Sequence, residues 1–544
     1  MKKLSLQYGM LKMNSKTREA WFSLGAILLC WALFLILLRY VWPYEGIAYM
    51  EELTGSAAYA WIHQIPNMMP VPYIHLFGRE IPAMFTAWLG PWNIYLLSPF
   101  IAVGGCTLAT LRSYSAFMFL FALWGTWRLA LLLNNDKTTA FLSIALLAVC
   151  PAMITTRSLF VTAPDVAASV WTLYFAVLFA RTRKSIYAYT ACAAFFIGLG
   201  ARSWVAGLGV GLALYIALTW RHVLALLPKS NALKARLIIG CLACAGAILL
   251  PAIAYNASHG WPTIKFYVYH LVTRAWWCAE FPGTCSNLNY WANLKTSLSQ
   301  LCQLSDGTVI LPEPWHWLYI LPLFISFLYT VRDARHRRTL WSVPAMLWIV
   351  AIGYILVSPI SPTEQIPIHF APLAPILCAL MFSWLGIISA GLWRRTALLA
   401  MALVCAAQFA GDFHLLNRAN IDMDTIGYYV DSPLLIKASQ WTGERAKIPI
   451  VSCAMPVTLA APYFSQNRAR LMPWPAWSGS PYLPWEDWLR SRDKPYFIVE
   501  NDRMGLQPAA QLRAQAAKFD IPLTLVKVFR DSLGRPAFEV YQVR

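Results

Sequence analysis

FSLGAILLCWALFLILL, running from Phe22 to Leu38, carries no charged side chain and follows a basic segment holding Lys2, Lys3, Lys12, Lys16 and Arg18. Its length approaches the roughly 20 residues that take an α-helix across a hydrocarbon core at about 1.5 Å per residue. Inside lipid no water is at hand for backbone N–H and C=O groups, so such a run must satisfy them internally and fold as a helix. FAPLAPILCALMFSWLGIISA, Phe370 to Ala390, reads the same way. The whole chain agrees with these two stretches. Hydrophobic residues make up 58% and charged residues 13%, about half the charged fraction of an ordinary soluble domain, and mean hydropathy is +0.51.

Windowed hydropathy predicts a polytopic α-helical membrane protein with roughly eleven spans. The first covers Trp21 to Val41, and later ones begin near Ser113, Thr139, Val166, Tyr189, Val205, Leu237, Trp315, Ser342, Phe370 and Thr396. Between the first two spans lies a polar and aromatic stretch. Within it Trp92 to Val103 is apolar but broken by Pro99, and reads as an interfacial helix or re-entrant segment. The first apolar run also resembles a signal peptide, but its basic lead-in is long for one, and an uncleaved anchor is expected.

Most basic residues of the membrane portion fall on one side: the N-terminal set, then Arg128, Lys137, Arg181, Arg183, Lys184, Arg221, Lys229, Lys234 and Arg236. Arg332, Arg335, Arg337, Arg338, Arg394 and Arg395 complete the set. By the positive-inside rule this side is cytoplasmic, and an odd number of spans puts the C-terminus outside. Residues 1–20 are then a cytoplasmic tail and 21–412 the transmembrane portion. From Phe413 hydropathy falls, and short strand-like runs appear at Ile448 to Cys453, Tyr496 to Glu500, Leu523 to Phe529 and Phe538 to Val543, with a helical stretch from Pro508 to Phe519. Residues 413–544 are expected to form a small periplasmic α/β domain, on a protein of a bacterial inner membrane.

The formal net charge of +19 serves topology rather than nucleic-acid binding, because the basic residues form no patch interleaved with aromatics. Of 12 cysteines, Cys241 and Cys244 form a lone CxxC in an apolar run with no second pair nearby, which argues against zinc. Cys278 and Cys285 share a polar outer loop where a disulfide can form. The sequon at Asn256 is a weak match.

Acidic residues carry more information, since a carboxylate near lipid is costly. Glu45 follows the first span in Trp42-Pro43-Tyr44-Glu45-Gly46, and Asp165 follows Pro164 where the fourth begins. Carboxylates at the outer ends of two helices can converge on one cleft, to deprotonate a hydroxyl or to hold a divalent cation. Asp165 equally suits a helix N-cap, and Glu45 a solvated interface position. Outer-face cations are few. Arg157, Arg202 and His369 suit a phosphate, although any one of them can instead snorkel to lipid headgroups.

At these positions the chain resembles the C-type glycosyltransferases that use polyprenyl-phosphate sugars, nearest to bacterial relatives of protein O-mannosyltransferases and of the lipid A aminoarabinose transferase. The resemblance runs from Arg39 to Pro375. It is carried by Glu45-Gly46-Ile47-Ala48-Tyr49, in the place of the family's Asp-Glu motif, and by Leu111-Arg112-Ser113-Tyr114-Ser115. It continues with Cys150-Pro151-Ala152 followed by Arg157 and Asp165, then Gly198-Leu199-Gly200-Ala201-Arg202, and ends with His369-Phe370-Ala371-Pro372. Two features depart from the family: Gly46 stands where the second acid would be, and the gap from Arg157 to Asp165 is long.

The resemblance implies an inverting glycosyltransferase, of hexosyl or pentosyl type, taking its sugar from a polyprenyl phosphate. The acceptor would be lipid A, another envelope glycan or a protein. Glu45 would be the base or help place a metal, Asp165 would support acceptor or metal, and Arg202, with Arg157 or His369, would hold the donor phosphate. Two other classes compete: a lipid-linked glycan flippase, which would show inverted repeats and mid-membrane charges, and a non-catalytic membrane scaffold. O-antigen polymerases and ligases share size and topology but lack an acidic motif straight after the first helix.

Overall fold

A computed structural model describes residues 15–41, 49–65, 71–76, 78–84, 90–134, 136–150, 159–202, 205–265, 291, 294–295, 313–357, 371–383, 391–421, 432–445, 447–453, 455–469, 471–473, 489–490, 494–500, 508–530, 534 and 536–544. The chain is mostly helical. The long apolar helices are α1 (Ser15–Val41), α4 (Leu108–Asn134), α6 (Leu159–Thr182) and α10 (Asn231–Ser258). Each has an apolar stretch long enough to cross a bilayer; among the described residues α8 (Ala206–Leu218) and α9 (Trp220–Leu226) make a fifth if counted as one span, though a 93° bend separates them. Further helices stand at the other predicted positions: α5 (Lys137–Ala148), α7 (Ser185–Ala201), α11 (Glu313–Arg337), α12 (Val343–Val357), α13 (Ala374–Met381) and α14 (Leu392–Ile421). The protein is thus a polytopic membrane protein.

Burial divides these helices as a bilayer would. One core joins Phe34 of α1, Phe119 and Trp127 of α4, Leu146 of α5, Val170 of α6, Tyr354 of α12 and Leu377 of α13. On α10, by contrast, Ile239, Leu242 and Leu250 are exposed, as lipid-facing side chains are. Where two helices must approach closely, glycine permits it: a Cβ on Gly211 of α8 would stand 2.6 Å from the Val350 backbone of α12, the small-residue contact common between membrane helices.

The stretch after α1 holds more structure than its hydropathy suggests. It contains α2 (Tyr49–His63), an antiparallel hairpin of β1 (Tyr73–Leu76) and β2 (Arg79–Pro82), and α3 (Trp92–Gly104). The hairpin turns at Gly78, whose φ of 73° suits a residue without a Cβ. The predicted apolar piece from Trp92 is α3, kept helical through Pro99.

The C-terminal part carries α15 (Ser432–Glu444), β3 (Ile450–Cys453), α16 (Met455–Phe464), β4 (Leu471–Pro473), β5 (Tyr496–Glu500), α17 (Pro508–Lys518), β6 (Leu523–Arg530) and β7 (Pro536–Val543). Its strands form one sheet in the order β4-β3-β5-β7-β6. β3 runs parallel to β4 and β5, while β7 is antiparallel to β5 and β6. The fall in hydropathy at Phe413 lies inside the continuous α14.

A second core crosses from this sheet to the segment after α1. It holds Ala57 and Ala58 of α2, Leu97 of α3, Leu111 and Tyr114 of α4, Leu435 and Ala438 of α15, Val457 and Tyr463 of α16, and Ile498 and Phe538 of the sheet. The polar seal is specific. Ser56 Oγ donates to Asn467 Oδ1 at 2.8 Å, Asn467 Nδ2 donates back to the Ser56 carbonyl at 3.2 Å, and the Tyr463 hydroxyl donates to the Thr107 carbonyl at 2.9 Å.

Candidate active site

Asp165 and Arg202, both singled out in the sequence, meet across the α6–α7 hairpin. α6 begins at Leu159 and carries Asp165 inside the helix, just after Pro164. The N-cap reading of Asp165 is therefore corrected: six residues of helix precede it, and its carboxylate turns into the protein rather than onto α6's own N–H groups. The N-cap role falls instead to Asp136, which starts α5 by accepting from the N–H groups of Thr138 and Thr139 and pairs with Arg394 at 2.9 Å.

Arg202 is the residue on which α7 ends; its backbone is extended and its N–H closes the last turn on Gly198. From there Nε lies 3.9 Å from Oδ2 of Asp165, with the carboxylate side chain 1% and the guanidinium side chain 12% exposed. That is ion-pair range but longer than a hydrogen bond. Neither carboxylate oxygen of Asp165 has a hydrogen-bond partner among the described residues. A buried carboxylate without hydrogen bonds is energetically expensive.

What brings Arg202 to this spot is the close seating of α3 on the end of α7. Gly90 passes against the backbone of Gly200, and Gly200 in turn faces the Trp92 ring, with no room for a Cβ on either glycine. Asn93 Nδ2 donates to the Ala201 carbonyl at 3.2 Å, and Trp92 Nε1 donates to the Ile248 carbonyl of α10 at 3.1 Å. The Gly198-Leu199-Gly200-Ala201-Arg202 stretch thus has a mechanical reason for its glycines.

Two tyrosines complete the surroundings, and sequence reading gave no role to either. Tyr114 of α4 and Tyr354 of α12 both stand within electrostatic reach of Asp165, and Tyr354 also within reach of Arg202. Both are almost fully buried. Each lies in an apolar span, where hydropathy gives no sign of the face it turns to. The turn Ala371–Leu373 packs on α6; His369, just before it in sequence, lies outside the described residues, as do Glu45 and Arg157.

The metal reading of Glu45 with Asp165 can be weighed on Asp165 alone. A divalent ion seeks several oxygen ligands, whereas this carboxylate has a guanidinium beside it whose positive charge would oppose a cation. Among the described residues no group of three His, Cys, Asp or Glu side chains is placed to hold a metal. Glu45, the other carboxylate of that reading, lies outside the described residues.

The helical membrane bundle, with an α/β sheet docked on the segment after α1, is similar in fold to solved C-type glycosyltransferases. The crystal structure of ArnT from Cupriavidus metallidurans bound to undecaprenyl phosphate, a lipid A aminoarabinose transferase, superposes with a TM-score of 0.61 and 13% identity, over 95% of this chain and 98% of that one. The same enzyme in the apo state matches with a TM-score of 0.59 and 12% identity, over 97% and 98%. The Archaeoglobus fulgidus oligosaccharyltransferase, solved with zinc and sulfate, matches with a TM-score of 0.50 and 13% identity, over 87% of this chain and 68% of that one. No protein-family profile matches the sequence, and no curated protein sequence matches it. The resemblance read along the chain is met in the fold.

Proposed function

We propose that this chain is a membrane glycosyltransferase that moves a sugar from a polyprenyl-phosphate donor to an acceptor outside the cytoplasm: lipid A, another envelope glycan or a protein. The observation that carries the reading is the buried Asp165–Arg202 pair within a fold that matches, over nearly its full length, an enzyme crystallised with undecaprenyl phosphate. The donor's lipid tail lies in the bilayer and its phosphate at the interface, where a guanidinium can neutralise it.

In the reaction the acceptor hydroxyl oxygen attacks the anomeric carbon as the bond from that carbon to the phosphate oxygen breaks, with inversion. The bonding pair leaves on the phosphate, and the hydroxyl proton passes to a base. Glu45 takes that proton. Arg202, with Arg157 and His369, offsets the charge that grows on the departing phosphate. Asp165 holds the Arg202 guanidinium in place and lends its own charge to the acceptor side. No step passes through a metal.

The accompanying topology is about eleven spans with the N-terminus inside and residues 413–544 in the periplasm of a bacterial inner membrane. Reporter fusions after Arg338 and at Arg544 test it: cytoplasmic activity at the first and periplasmic activity at the second are expected.

The activity itself is tested by incubating purified protein with a radiolabelled polyprenyl-phosphate sugar and envelope extract, and following release of polyprenyl phosphate. Glu45→Gln is expected to lower release by a hundredfold or more, in line with loss of a general base. Folded wild-type protein that releases none from any lipid-linked sugar would leave the scaffold reading in its place.

A further inference from the structure

On the side of the bundle opposite the Asp165–Arg202 pair, the 93° bend between α8 and α9 opens a cavity of about 520 Å³. Its wall is formed on one side by Leu218, Thr219 and His222 and on the other by Arg335, Arg338 and Leu340 at the end of α11. We propose that this cavity binds the phosphate headgroup of an anionic phospholipid in the leaflet on that side. The inference does not depend on the glycosyltransferase reading.

The bend makes the site. α8 is an apolar helix, and a turn through a near right angle at its end lays α9 along the membrane surface. α9 is built for that position, with Trp220 and Leu224 exposed and the Arg221 guanidinium 5.6 Å from the centre of the Trp220 ring. An indole beside a cation, at the polar edge of an apolar helix, is the composition of an interfacial segment. The bend is fixed from within. Thr219 is buried, its hydroxyl donates to the Tyr215 carbonyl at 2.6 Å, and Trp341 stacks on both Tyr215 and His222.

The charge in the cavity is positive and uncommitted. The one acid on this part of α11, Asp333, is engaged by Arg337 at 2.8 Å. No salt bridge among the described residues involves Arg335 or Arg338. Arg338 sits at a φ of 50°, a left-handed conformation uncommon for a side chain of this size. The carbonyl end of α11 opposes an anion with about half a charge. Two guanidinium groups outweigh it, and the Arg335 and Ala334 carbonyls are already taken by the N–H groups of Arg338 and Thr339.

A phosphate could arrive on a lipid or on a soluble metabolite, and the rim favours the lipid. Leu218 and Leu340 are exposed beside the charged wall, which suits an acyl chain running up the bundle and would be wasted on a free anion.

The test uses the full chain in detergent and in lipid nanodiscs. Native mass spectrometry of the wild type should show phosphatidylglycerol retained at least tenfold over phosphatidylcholine. In a titration with phosphatidylglycerol nanodiscs, Arg335→Gln/Arg338→Gln should weaken retention roughly 30-fold, about fivefold per arginine. Arg332→Gln, a change on the same helix away from the cavity, should leave it nearly unaltered. Equal retention of the two lipids by the wild type overturns the proposal, as does an equal loss in the cavity and control variants. Displacement of phosphatidylglycerol by inorganic phosphate at matched ionic strength would assign the cavity to a soluble anion and overturn the lipid. Should the double variant fail to fold, the two wild-type experiments still decide.

Discussion

Arg202 closes α7 and at the same time sets its guanidinium 3.9 Å from the carboxylate of Asp165, a helix away and almost wholly buried. The pair is close enough to share charge and too far apart to share a hydrogen bond. Such a gap is what a site needs if one partner must still engage a phosphate. In a purely structural ion pair the two groups would be expected to close, because desolvation of both ions is repaid only by good geometry.

The pair therefore separates stability from activity. Asp165→Asn removes the carboxylate that faces the buried Arg202 guanidinium and should cost on the order of 3 kcal/mol. Asp165→Leu with Arg202→Met removes both charges and should recover most of that loss, since replacing a buried ion pair by apolar residues is often neutral. Thermal unfolding measures the first effect. Sugar transfer should be abolished in both proteins, and transfer by the apolar pair would remove these two residues from the mechanism.

How much of this was legible beforehand depends on whether the signal was local. The apolar runs gave every long helix, because bilayer length is a local property. The runs at Tyr496 to Glu500 and Leu523 to Phe529 reappear as strands for the same reason, with β-branched and aromatic side chains in sequence. α2 was missed. YMEELTGSAAYAWIH is too polar for a span, and much of its stabilising surface is supplied from far along the chain, as in the Ser56–Asn467 pair, 411 positions apart. β4 is three residues long and takes its place by pairing with β3 and packing against α16. At the site, Asp165 and Arg202 stood out because charge is rare in a membrane helix. Tyr354 did not, since tyrosine is ordinary there and only the packing of α12 turns it towards the pair.

Close passage of α3 over α7 yields a sharper test. Gly90→Ala would drive a methyl group into the Gly200 backbone, where no side chain can swing aside. Overpacking of this kind costs about 1–3 kcal/mol. Because Gly200 lies two residues from Arg202, transfer should fall further than the loss of folded protein explains. Activity per folded molecule, compared with that of Gly25→Ala, where a Cβ meets nothing within 4 Å, checks it.

Asn467 does two things at once. It bonds Ser56 twice, and it sits at a φ of 55°, which asparagine tolerates better than most residues. Asn467→Gly keeps the backbone freedom and loses the bonds; Asn467→Ala loses both. The expected order of stability is wild type, then glycine, then alanine, with a total of about 1–3 kcal/mol. Limited proteolysis of the segment after Ile421 should accelerate in that order. Equal rates in the three proteins would mean that the seam to α2 carries no share of the docking.

In the sheet, Tyr541 donates to Glu539 at 2.6 Å and accepts from Arg513 at 3.2 Å. Burial first, and the neighbouring Glu539 second, push its phenol up to about 12 from the ordinary 10. The folded chain therefore holds this proton more tightly than the unfolded chain does. That contribution to stability is complete below pH 10 and is lost as pH rises through 12. Unfolding followed between pH 9 and 12 should show a falling midpoint in the wild type. Tyr541→Phe has no phenol to titrate, so its curve should be flatter across that window, and a fall as steep as the wild type's would assign the alkaline loss to other groups.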